Sequence, residues 1–188
     1  MSYPAGIELP EGVSHGSIPE YSGYRIVVTN PFSGNIEILA PAVEILTSEN
    51  GEKVAVVADE INVMAAAADI FKGSDTPFSF IKIAPWELPD RRKYGVYRDA
   101  WFIDGDKVSI DIEKAKAIKL ELLRAKRNQL LSKLDVPFLR AVETGEGLAE
   151  IKAQKDLLRA LPPVLKTALD ELDNIDDIDA YSHIALEG

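Results

Sequence analysis

The sequence predicts an α+β chain: a small strand-rich N-terminal part with one short helix, followed by an α-helical C-terminal part of a long helix and a helical hairpin. Three observations predict it. Short β-branched runs separated by turn signals occupy residues 24–111. Asp111 then stands as an N-cap before a long charged segment, and beyond it leucines recur at helical spacing. The expected division is an extended arm over 1–23, an α+β domain over 24–111, and a helical domain with an acidic C-terminal tail over 112–188.

The arm follows from Pro4, Gly6, Pro10, Gly12, Gly16, Pro19 and Gly23, which leave no helical period. It carries no basic n-region and no apolar h-region, so no signal peptide is expected. Arg25 to Val28 has strand character, Asn30 to Asn35 reads as a turn, and strands are expected near Ile36–Leu39 and Val43–Thr47. Ser48-Glu49-Asn50-Gly51 signals a tight hairpin, because Asn-Gly readily takes positive φ, and Lys53 to Val57 is the returning strand. Asp59 suits the N-cap of a helix from about Glu60 to Phe71 that Gly73 ends. Phe78 to Ile83 alternates as a strand, and Asp104-Gly105-Asp106-Lys107 joins two more in a second hairpin.

The long helix is expected from Ile112 to Leu134, with Leu120, Leu123, Leu130 and Leu134 as a short a/d-like seam and Arg127 between them. Asp135 and Pro137 restart a helix at its N-cap and first turn, and Gly145 and Gly147 end it. A third helix runs from Leu148 to about Leu161, where Pro162-Pro163 is expected to interrupt it before a short amphipathic segment. After Lys166 there is no Lys or Arg, and the acids from Asp170 to Glu187 read as a solvated tail.

Composition limits what such a chain can do. At 188 residues it holds one ordinary domain or two small ones, and a core split in two is thin, which admits a homo-oligomer. A net charge of -10 argues against nucleic-acid binding, since phosphates need facing cations. The longest apolar run, Val63 to Ala68, is far too short to span a bilayer. With Cys 0, there is no disulfide, thiolate nucleophile or thiolate zinc site.

Chemical motifs are sparse. The histidines, His15 and His183, sit in peripheral segments without clustered partners, and no strand leads into a Gly-rich phosphate loop. Asp173 to Asp179 invites a calcium reading, but Ile175 stands at the third loop position and no glycine at the sixth. No cofactor, metal or catalytic residue is therefore expected. From Lys114 to Lys133, seven bases (Lys114, Lys116, Lys119, Arg124, Lys126, Arg127, Lys133) face one acid, Glu121, so pairing with the acidic tail or a neighbouring subunit is favoured over nucleic acid. Trp86 and Trp101, with Tyr94 and Tyr97, read first as core or hinge packing and, where exposed, as binding anchors.

Several phrases occur in a particular order: Leu88 to Arg91, Tyr97 to Trp101, a ribbon ending at Asp111, Arg124 to Arg127, Leu134 to Phe138, and Lys155 to Arg159. In that order they resemble small bacteriophage and prophage proteins associated with tail fibres, and, more in pattern than in motif, tail-fibre assembly chaperones. The likeness covers about Val57 to Leu161; Arg92 to Val96 is an insertion relative to it, and the first 56 residues lie outside it. The resemblance implies a non-enzymatic tail-fibre accessory or assembly protein, working in the host cytoplasm, with a trimeric fibre as partner and other tail or baseplate proteins as further ones. Trp86, Tyr97, Arg98, Trp101, Leu120, Leu123, Arg127, Leu130 and Leu134 are the expected interface residues. The alternatives are a permanent structural component of the tail or baseplate, and a small enzyme with an unrecognised site.

Overall fold

The computed structural model describes residues 24–40, 43–47, 53–57, 69, 71, 73 and 79–187. The arm over 1–23 with His15, the Ser48–Gly51 turn, most of the helix expected from Glu60 to Phe71, and Phe78 all lie outside the described residues. The fold is α+β, strands first and helices after. It divides into two compact units, residues 1–109 and 110–188.

In the first unit, β1 (Arg25–Thr29) is the middle strand of an antiparallel sheet between β2 (Ile36–Leu39) and β5 (Phe80–Ile83). Ile26, Val27 and Val28 are wholly buried in succession. A strand covered on both faces must be apolar without alternation, and this one is. Leu39 pairs with Ile26, and Ile38 with Val27. One face therefore carries Tyr24, Ile26 and Val28, packed with Phe71 and Leu39, and the other carries Arg25, Val27 and Ile38. The β1–β2 turn is built by Asn30, whose Oδ1 accepts from the backbone N–H of Phe32 at 2.9 Å and Ser33 at 3.2 Å.

β3 (Val43–Thr47) and β4 (Lys53–Val57) pair antiparallel from Val43↔Val57 to Thr47↔Lys53, as in a hairpin. Beyond β5, a 3-10 turn (Pro85–Glu87), the short helix α1 (Arg91–Tyr94) and further 3-10 turns (Gly95–Ala100) lead into β6 (Trp101–Asp104). Gly105, at φ 67, turns the chain into β7 (Lys107–Ile110). β6 lies against β1 and β2.

The second unit opens with α2 (Ile112–Lys133). Asp111 caps it as expected, its Oδ1 accepting from Lys114 N–H at 3.0 Å. α3 (Asp135–Thr144) follows after one residue. Its N-cap is Leu134, not Asp135: Leu134 N–H still donates to Leu130 O, so the two helices share that residue and Asp135 becomes the first helical position. Gly145, at φ 79, ends α3.

Against expectation, α4 (Leu148–Asp170) is one helix that runs straight through Pro162 and Pro163. These prolines cannot donate to the carbonyls four residues back. The helix persists because Leu158, Leu161, Leu165 and Leu169 form one buried stripe on either side of the break. The acidic segment keeps most of its acids exposed, as expected, but it folds instead of trailing as a tail. α5 (Ile175–Ala180) is capped by Asn174, whose Oδ1 accepts from Asp177 N–H at 2.9 Å, and buries Ile178. A last 3-10 turn (Ile184–Leu186) buries Leu186.

Candidate functional site

The aromatic turn of the first unit forms a cleft of about 600 Å³. Strand register places Arg25 and Ile38 on the same sheet face, and both line it. Glu87 Oε2 accepts from Ala84 N–H at 2.8 Å, fixing the turn that carries Trp86. Asp90 Oδ1 accepts from Arg92 N–H at 2.8 Å and starts α1, which presents Arg91 to the cleft. The insertion Arg92 to Val96 is thus a helical turn with its continuation, and Lys93 Nζ sits 4.9 Å from the centre of the Tyr94 ring.

The expected aromatic anchors divide. Tyr97 is wholly buried and Trp101 is 2% exposed, so both are core residues rather than surface anchors. The 3-10 turns before β6 direct Tyr97 and Ala100 inward, which the spacing alone did not reveal. Trp86 is 80% exposed. Arg98 is half-buried, with its guanidinium 5.6 Å from the centre of the Trp101 ring. The Trp101 indole N–H is buried without an acceptor among the described residues.

On α2 the expected leucine seam is not a uniform stripe. Leu123 is buried in the core, whereas Leu120, Leu130 and Leu134 are half-buried. α2 meets α3, α4 and α5 in turn, so its buried positions follow those neighbours and not a heptad partner. Leu130 and Leu134 line an apolar groove of about 430 Å³ with Leu157, Leu158 and Ala185. Arg127 is half-buried and donates to the neighbouring Asn128 side chain at 2.7 Å, while Arg124 pairs with Glu121 at 2.5 Å.

The basic side of α2 meets the acidic segment through backbone as much as through charge. Lys116 Nζ donates to Asp170 O at 3.2 Å, and Lys119 Nζ to Asp179 O at 2.7 Å. These carbonyls lie in the last turns of α4 and α5, where helices leave acceptors unsatisfied and favour cations. Burial holds the Lys119 ammonium below its ordinary pKa, with Asp179 opposing the shift and Lys126 adding to it.

No protein-family profile, curated protein or solved structure matches the chain.

The surface that sequence reading missed is on α3. Val136, Leu139 and Val142 are 56%, 61% and 54% exposed and recur every third residue, so they share one side of the helix. Ala141 faces the core. The signal was present: a ten-residue helix with apolar residues on two sides has one more apolar side than a single core needs. His183 Nδ1 accepts from Ala185 N–H at 3.2 Å and helps shape the last turn. Among the described residues, no group of three or more His, Asp or Glu side chains is placed to hold a metal ion. No helix among them is long and apolar enough to cross a membrane.

Proposed function

We propose that this chain is a non-enzymatic bacteriophage tail-fibre accessory protein that binds the fibre and aids its folding, assembly or attachment. The observation that carries the reading is the exposed apolar side of α3. Burying a side chain of the Val or Leu type against a partner contributes about 1.5–3 kcal/mol each, so three on one helix are enough to seed an interface. Leu130, Leu134 and Leu157 add a second apolar surface in the same unit.

The resemblance to tail-fibre-associated proteins supplies the partner. Its Leu134–Phe138 and Lys155–Arg159 phrases come together in the helical unit, where Lys155 reaches both Asp135 and Phe138. An immature trimeric fibre exposes apolar and strand-edge surface, which a small helical binder can cover. Unit 2 thus carries the fibre contact, and no chemical step is needed.

Quantitative mass spectrometry tests this reading on purified particles and on fibre captured from the same infected lysate. The chain bound to immature fibre in lysate supports the assembly role, and stoichiometric presence in particles would make it a permanent tail component. Absence from both overturns the fibre reading.

A further inference from the structure

We propose that the cleft of the first unit binds a carboxylate-bearing peptide segment, with arginine forks on the acid and Trp86 against the residue beside it. This site is separate from the helical surfaces assigned above and does not rest on the fibre being the partner.

Arg25, Arg91 and Arg98 all border this one cleft. Arg25 donates to Tyr24 O at 2.8 Å and Arg98 lies over Trp101, but none of the three pairs with a carboxylate among the described residues. Three arginines bordering one cleft in a protein of net charge -10 are not explained by solubility. A planar fork of donors matches a carboxylate in geometry as well as charge.

The Trp101 indole N–H is an independent observation. Trp101 lines the same cleft, and its indole N–H is buried with no acceptor among the described residues. Buried donors are rarely left so, because desolvation without a partner is unfavourable.

The remaining walls select a peptide over a bare ion. Ile38 and Leu88 are apolar, and Trp86, which borders the cleft, is 80% exposed. Aromatic and arginine side chains around a hollow are what binding hot spots are made of. Asp90, already engaged as the α1 cap, adds a negative charge that disfavours a phosphate dianion more than a single carboxylate.

The chain has Trp 2, and both tryptophans border the cleft, so intrinsic fluorescence of the full chain reports on this site. The probes are a capped hexapeptide with two aspartates and two leucines, its asparagine counterpart, sodium acetate and inorganic phosphate, each followed in parallel by calorimetry. The expected result is saturable binding of the acidic peptide, with the neutral peptide at least ~10-fold weaker. Arg91→Gln, on an exposed helical turn, should weaken the acidic peptide by ~5- to 10-fold with an unchanged circular dichroism spectrum. Arg92→Gln, beside it but outside the cleft, should leave binding as it is. The proposal is overturned if no probe binds, if acetate or phosphate binds as tightly as the acidic peptide, or if Arg91→Gln has no effect.

Discussion

Lys155 Nζ lies 2.7 Å from Asp135 Oδ1, joining α4 to the first residue of α3. The two ends of the pair differ: the Lys155 side chain is 10% exposed and that of Asp135 62%. The ammonium also sits 4.7 Å from the centre of the Phe138 ring. A helix N-terminus favours the carboxylate at Asp135, so the contact both ties the hairpin and starts α3.

That asymmetry predicts unequal substitutions. Asp135→Ala strands a buried ammonium and removes a charge from the α3 N-terminus, and should destabilise by about 1–3 kcal/mol. Lys155→Met keeps the stem packed on Phe138 and leaves behind only an exposed carboxylate, so its effect should stay within about 1 kcal/mol. Urea denaturation of both variants checks the order, and equal losses would contradict it.

Pro163 is exposed within α4 and withholds a hydrogen bond from the Arg159 carbonyl. Interior prolines disfavour a helix by about 3 kcal/mol, and their replacement returns part of that as freedom of the unfolded chain. Pro163→Ala should therefore stabilise the helical unit by roughly 1–2 kcal/mol, read as a higher denaturation midpoint. A lower midpoint would mean the proline fits a local distortion that α4 requires.

Local signals made much of the fold legible. The Asp111 cap, the Gly145 stop and the Asn30 turn depend on residues within a few positions of one another. What stayed hidden was decided at long range. The unbroken α4 depends on a leucine stripe packed against other helices. The folding of the acidic segment depends on Ile178 and Leu186, two apolar residues among many acids, and on Lys119 reaching a carbonyl of α5. The cleft needed sheet register to bring Arg25 to the same place as Arg91 and Arg98, and no spacing in the sequence encodes that meeting.

Alkaline titration should separate Tyr181 from Lys119. Burial raises the Tyr181 phenol above its ordinary 10.0. Above that value the unfolded chain releases the proton before the folded one, so stability falls as pH climbs toward the raised folded value. Lys119 works in the opposite direction: between its lowered folded value and 10.5 the unfolded chain holds more protons, and stability rises with pH. Denaturation from about pH 9 to 11 should show the fall removed in Tyr181→Phe and the rise removed in Lys119→Met. Parallel curves for all three proteins would contradict both assignments.

Leu123 and Leu139 should respond oppositely to the same change. Leu123 is buried among the helices, and Leu123→Asp places an unpaired charge there, enough to unfold the unit with a loss of about 3 kcal/mol or more. Leu139 faces outward, and Leu139→Asp should shift stability by no more than about 0.5 kcal/mol. Thermal unfolding of the two variants decides whether α3 carries a free surface.

The most direct measurement uses that surface variant. The tail-fibre protein would be expressed alone, with the wild-type chain, and with Leu139→Asp, and the yield of soluble, heat-resistant fibre trimer measured. The wild-type chain should raise the yield, and Leu139→Asp, folded and equally abundant, should not. Equal trimer yield in all three would contradict the claim that the α3 surface serves the fibre.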